Sequence, residues 1–205
     1  DLLGLTESDI CFSAAKLFFA YGLGNGMSFP MHVGATTILL PDRPTPDSVI
    51  DVMRRHNPTI FYGVPTLYSA MLASPALGKG AGSKRLRLCV SAGEALPADI
   101  GTKWEEKVGS EIIDGIGSTE MLHIFVSNRP GKIAYGSSGT PVPGYDARLV
   151  DDDGKDVPKG EIGELVVKGP TAAEGYWNQR EKSRSTFAGR WTHTDRKSTR
   201  LNSSH

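Results

Sequence analysis

Residues 114–120, DGIGSTE, hold the densest run of side chains that could do chemistry. A short strand is expected to end at Asp114, and Gly115 and Gly117 flank Ile116, letting the backbone pass close to a ligand. Two hydroxyls, Ser118 and Thr119, and a carboxylate, Glu120, follow at once, where the pattern calls for a helix to begin. Backbone N–H groups and hydroxyls at such a turn can hold a phosphate. A carboxylate beside a phosphate can hold Mg²⁺, a hard cation that prefers oxygen ligands. The same residues also fit a plain strand-to-helix turn, with Ser or Thr as N-cap and Glu in the first helical turn. A second segment, SAGEALP at 91–97, carries Gly93, Glu94 and Ala95 at the end of another expected strand. Ligands of open α/β sheets bind beyond the carboxyl ends of the strands, so the two turns are expected side by side on one crevice. A third segment, GELVVKGPTAAEGYWN at 163–178, reads as architecture, with Tyr176 and Trp177 expected in the core.

The elements that must position these turns follow from periodicity. Residues 36–40 read as a buried strand after a Gly-rich apolar stretch. Asp47 is a good N-cap for a helix over 48–56, with Val49, Val52 and Met53 at helical spacing, and Asn57-Pro58 ends it. A short strand over 59–62 leads to Pro65, which opens a helix over 66–73. A strand over 86–91, a helix over 97–108 with Trp104 on its apolar side, and a strand over 111–114 complete a series of βα units, hence a mostly parallel sheet. The character changes near Gly139. Residues 147–150 and 163–168 read as an antiparallel hairpin around the DDDGKD turn. His32 precedes the first strand and His56 ends a helix, so both read as structural.

The 205 residues are 39% apolar and 22% charged, an ordinary globular composition able to bury a core. With 23 basic and 23 acidic residues, no large charge points to nucleic acid or to an anionic membrane. Two cysteines without metal-ligand spacing fit a reducing, cytoplasmic setting. No apolar run approaches the roughly 20 residues of a membrane helix. The last eleven residues, DRKSTRLNSSH, lack hydrophobic periodicity and resemble a short-read sequencing adapter translated in frame. Three segments are therefore expected: a partial βα subdomain over 1–139, a partial β-barrel-like subdomain over 140–194, and a non-native tail over 195–205.

The ordered set SAGEALP, DGIGSTEM, GELVVKGPTAAEGYWN and GRWTHT resembles the acyl-adenylate-forming superfamily over nearly all of residues 1–194. AAKLFFAYGLGNG and GSTEMLHIF are most similar to its benzoate–CoA ligases and hydroxybenzoate relatives. The resemblance implies an α/β fold, the βα sheet subdomain of an N-terminal adenylate-forming domain followed by part of a β-barrel-like subdomain. It implies an acid that attacks the α-phosphate of ATP, and coenzyme A whose thiol then displaces AMP, with Mg²⁺ as cofactor. By motif, Thr119 would contact the AMP phosphate and Glu120 would hold Mg²⁺. Gly93, Glu94 and Ala95 would line the adenine side, while Asp114, Gly115, Ile116 and Ser118 would complete the nucleotide site. Ile116 stands where the family commonly has an aromatic. Phe19, Ala20 and Tyr21 would form one wall of the acid pocket, with Gly117, Leu122 and His123 on the other. His123 also fits a satisfied helix histidine. The family's phosphate loop, T-S-G-[ST]-[ST]-G-x-P-K-G, does not occur in these residues, nor do its ribose-gripping T-G-D or its C-terminal catalytic Lys. The resemblance thus implies a fragment inactive by itself. It leaves open a ligase for another acid, such as 4-hydroxybenzoate, 2-aminobenzoate or a cyclic aliphatic acid, and a non-catalytic nucleotide-binding module.

Overall fold

The computed structural model of the chain describes residues 2–158 and 160–198. Strand β1 (Ile10–Ser13) leads into α1 (Ala20–Leu23), which continues through a π-helical turn at Gly24–Ser28 into α2 (Phe29–Val33). Then follow β2 (Thr36–Leu39), α3 (Pro46–His56), β3 (Ile60–Gly63), α4 (Pro65–Ala73) and β4 (Leu88–Ser91). After them come α5 (Ala98–Val108), β5 (Ile112–Gly117), β6 (Ile124–Ser127) and β7 (Thr140–Pro141). These strands form one seven-stranded sheet, ordered β2-β1-β3-β4-β5-β6-β7. The pairs among β1 to β5 are parallel, and β6 and β7 add antiparallel. A second sheet of four antiparallel strands follows. It is built from β8 (Asp146–Val150), β9 (Gly163–Lys168), β10 (Phe187–Ala188) and β11 (Trp191–Ser198), with α6 (Arg180–Thr186) between β9 and β10. Neither sheet closes on itself.

Strands β1, β3 and β4 and most of β5 are buried on both faces, which is why they read as continuous apolar runs. On one face Phe12, Phe61, Cys89 and Ile112 pack under α3, α4 and α5, with Val49, Met53, Tyr68, Met71 and Trp104 fully enclosed. On the other, Cys11, Ile60, Tyr62, Val90 and Ile113 meet Leu5, Tyr21 and Ile124. A third cluster, Met121, Phe125, Val126, Leu165 and Val167, joins the two sheets. Among the described residues no helix is long and apolar enough to cross a membrane.

Several local expectations are corrected. β2 is an edge strand rather than a buried one: Thr36 and Leu39 are exposed, because only β1 pairs with it. The N-cap of α3 is Thr45, not Asp47. Its hydroxyl takes the Ser48 N–H while Ser48 Oγ takes the Thr45 N–H, a reciprocal box that Pro46 then follows at the first helical position. No helix follows DGIGSTE. The chain turns back at 118–122 into β6, because that tip is tied down by the second sheet. β11 runs on to Ser198, past the start of the tail set aside on sequence grounds. Its register shifts between His193 and Lys197, and Asp195 has a φ of 53°. The rest of that tail, 199–205, lies outside the described residues.

One ionic knot holds the amino ends of the central strands. Buried Asp9 accepts two bonds from Arg87, each 3.0 Å, one from the Thr59 hydroxyl at 2.6 Å and one from the Thr6 N–H at 2.9 Å. Burial alone would raise the Asp9 carboxyl, but these donors outweigh it and hold it well below the usual carboxylate range. Its stabilisation is therefore complete above the ordinary Asp range and is lost as pH falls through and below that range. Arg87→Met should lower the unfolding free energy at pH 7 by about 2–3 kcal/mol. This is less than for a fully enclosed pair, because the guanidinium is 40% exposed. Urea unfolding at pH 7 and pH 3 checks both parts, with the deficit shrinking at the lower pH.

Candidate functional site

The carboxyl ends of β4 and β5 lie side by side, with Ser91 paired to Asp114. Ala92 and Gly93 leave β4 and Gly117 ends β5, so both turns open on one cleft of about 360 Å³. One wall is Phe19, Ala20 and Tyr21 at the start of the helical segment 20–33, and the other is 117–120 with His123 and Ile124. Tyr21 is fixed by its hydroxyl, which donates to the carbonyls of Gly63 at 3.1 Å and Val90 at 3.0 Å. Its ring stacks on His123 with centroids 5.6 Å apart, and Phe29 meets the far side of the imidazole edge-on at 4.6 Å.

His123 sits on the return of the hairpin rather than on a helix. Its Nε2 lies 3.4 Å from the Tyr21 carbonyl oxygen. Burial pushes its pKa down to about 4, the carbonyl contact opposing only in part, so the imidazole is neutral near pH 7. Gly117 is demanded by the backbone itself. A Cβ there would fall 2.6 Å from the His123 carbonyl oxygen and 2.9 Å from Ile124 Cα. The room it leaves is thus a consequence of close strand approach.

Ser118, Thr119 and Glu120 form the tip. Thr119 is exposed to the cleft, and the buried Ser118 hydroxyl bonds the Glu120 carboxylate beside it. Asp114 Oδ2 accepts the Ser138 hydroxyl at 2.9 Å, and the buried Ser91 hydroxyl also bonds this carboxyl. Burial raises the Asp114 carboxyl to about 6. Glu120 accepts the Tyr176 hydroxyl at 2.6 Å. Burial pushes its carboxyl up, but the Tyr176 bond and its neighbours outweigh that and hold it below its ordinary value.

Not every residue singled out by sequence lines the cleft. Glu94 and Ala95 sit in the exposed turn beyond Gly93. Gly115 packs its backbone against Ile124 and Val126. Ile116 packs on the cluster that joins the two sheets. Leu122 is half exposed at the hairpin tip, with a φ of 69°. Tyr176 and Trp177 are not core residues: Tyr176 is half-buried against Glu120, and Trp177 is 95% exposed. Both come from an arm laid over the tip rather than from a strand face. Sequence reasoning missed Ala92, Ile124 and Thr194 on the cleft wall. Ala92 and Ile124 lie inside the quoted motifs SAGEALP and GSTEMLHIF, and Thr194 ends GRWTHT on β11, the strand that pairs with β9.

The site is thus a cleft at the ends of parallel strands, lined by a hydroxyl-rich turn and one carboxylate. A family model for AMP-binding enzymes matches residues 1–177, and the chain belongs to that family. Within it, the chain is 59% identical to a benzoate–CoA ligase of Thauera aromatica over 93% of its own length and 36% of the relative's. It superposes with a TM-score of 0.95 on a benzoate CoA ligase from Burkholderia xenovorans LB400, at 57% identity, covering 98% of this chain and 41% of that one. An anthranilate CoA ligase, AuaEII, solved with anthranoyl-AMP, gives a TM-score of 0.92 at 51% identity, covering 96% and 38%. The chain thus spans about a third to two-fifths of the length of these proteins.

The buried imidazole has a pH signature. Neutral His123 favours the folded state above its ordinary value of 6.5, and this contribution is lost as pH falls from there toward about 4. A histidine NMR titration should show the His123 imidazole still neutral at pH 5.5. His123→Gln should flatten the loss of stability between pH 6.5 and pH 4.

Proposed function

We propose that this chain is part of an AMP-forming aryl-CoA ligase that activates benzoate through benzoyl-adenylate to benzoyl-CoA. The observation that supports this most is the single cleft in which an aromatic wall, Phe19 to Tyr21, faces a hydroxyl-carboxylate turn, Ser118 to Glu120. An aromatic carboxylate and a nucleotide α-phosphate can meet there in line. Tyr21, Gly117 and neutral His123 offer a flat slot for the ring, and an uncharged imidazole neither repels nor neutralises the acid's carboxylate. Ser118 and Thr119 line the cleft with hydroxyls that a nucleotide phosphate would use. Thr119 and Ser118 stand where charge builds on the α-phosphate, and fixed donors at that place lower the barrier without reorganisation.

The residues fit Mg²⁺ as cofactor. No group of three or more His, Cys, Asp or Glu among the described residues could hold a metal unaided. One carboxylate with substrate phosphates and waters is the arrangement Mg²⁺ commonly takes, and Glu120 is that carboxylate. When bound, the ion would neutralise phosphate charge. Coenzyme A as acceptor, like the aryl specificity, rests on the similarity to benzoate and anthranilate CoA ligases.

Two measurements on a full-length enzyme carrying this segment test the proposal. Glu120→Gln and Thr119→Val should each slow acid-dependent pyrophosphate exchange on the order of 10²–10³-fold. Wild-type exchange in both would reduce the turn to architecture. The same enzyme should favour benzoate over octanoate in kcat/KM, because the slot is flat and closed by Tyr21 and His123. Preference for octanoate would sink the aryl assignment while leaving the family intact.

A further inference from the structure

The arm at 169–177 leaves β9 and lies over the hairpin tip, and it takes hold of that tip at three points, two on Glu120 and one on Met121. The Ala173 N–H donates to the Glu120 carbonyl at 2.8 Å. The Thr171 hydroxyl donates to the carbonyl of the next residue, Met121, at 2.6 Å. The Tyr176 hydroxyl donates to Glu120 Oε1 at 2.6 Å. The first two bonds fix the backbone of the tip, and the third fixes the carboxylate. The side chain of Tyr176 is held in turn: its backbone N–H donates to Ser183 Oγ at 2.8 Å, and the Lys182 ammonium lies 4.5 Å from the ring centroid.

We infer that Tyr176 is a positioning residue for the metal carboxylate, reaching from the second sheet to present Glu120 to the nucleotide-bound cation. This deepens the proposed function and rests on its assignment of Glu120 to Mg²⁺. The chemistry of the partner supports the role. A short O–H···O⁻ bond is charge-assisted and strong, yet the phenol is neutral, so it orients one oxygen without cancelling the charge that attracts a cation. A Lys or Arg in the same place would compete with the metal. The ammonium over the ring adds a cation–π contact that helps hold the phenol in place. Hydrogen-bonded supports of this kind typically change metal affinity 10–100-fold when removed.

The test uses a full-length enzyme carrying this segment and a non-hydrolysable ATP analogue, with calorimetry in the presence and absence of Mg²⁺. The readout is the factor by which Mg²⁺ tightens nucleotide binding. Tyr176→Phe should cut that factor about tenfold, leave metal-free nucleotide affinity and the KM for the acid unchanged, and leave Tm within about 2 °C. Saturating Mg²⁺ should restore kcat for pyrophosphate exchange. Trp177→Ala, at the adjacent exposed position, should change none of these. An unchanged Mg²⁺ factor in Tyr176→Phe overturns the inference, and so does an equal loss of metal-free binding and Tm, which is what a packing role would produce. Glu120→Gln separates the two levels. If it collapses the factor while Tyr176→Phe does not, only the positioning role fails. If Glu120→Gln also leaves it intact, the metal assignment of Glu120 fails with it.

Discussion

At Gly117 the backbones of β5 and β6 approach so closely that a single Cβ would collide with the His123 carbonyl. The cleft depends on that approach. It brings the return strand back within a few residues, so Ser118, Thr119 and Glu120 project from a tight tip at the end of the parallel sheet instead of entering a helix. It also places His123 directly against Tyr21, fixing the distance between the two walls. β5 is the strand at which the sheet changes character, parallel to β4 on one side and antiparallel to β6 on the other. Ligands of α/β sheets collect where such regularity breaks, because strand-end backbone groups there lack a continuing partner.

The tip would be poorly defined if it stood alone. A five-residue turn carrying two hydroxyls and a carboxylate has many conformations, and ordering it costs entropy. The second sheet meets that cost in two ways. Leu165 and Val167 of β9 pack on Met121 and Phe125, burying the root of the hairpin. The arm beyond β9 then ties the tip with Thr171, Ala173 and Tyr176. The two sheets are therefore coupled at the cleft itself, and the Glu120 carboxylate accepts a bond from a residue 56 positions away in sequence.

Electrostatics in the cleft follow burial more than charge count. Asp114 and His123 are both driven toward their neutral forms, while Glu120, held by a donor, stays ionised. Near pH 7 the imidazole is neutral, whereas Asp114, at about 6, and Glu120 both stay mainly ionised.

How much of this was legible in the sequence depends on the range of the interactions concerned. The βα series, the antiparallel hairpin of β8 and β9, and the adjacency of SAGEALP and DGIGSTE follow from hydrophobic period, Pro and Gly placement and the strand-end rule, all local or nearest-neighbour effects. The motif order pointed to the family before any geometry. Local pattern could not show that β2 lies at an edge, since burial depends on which strands pair beside it. The same pattern called for a helix after Gly117, because a hydroxyl pair followed by Glu has the local signature of a helix N-terminus; the second sheet decided otherwise. Tyr176 read as core by type and proved to be the partner of Glu120, and Thr194 reached the cleft through β11. These outcomes come from contacts between segments far apart in the chain, whose free energies no window of sequence contains. The sequence by itself determined the elements and the chemistry on offer; the tertiary structure decided which of those groups face one another.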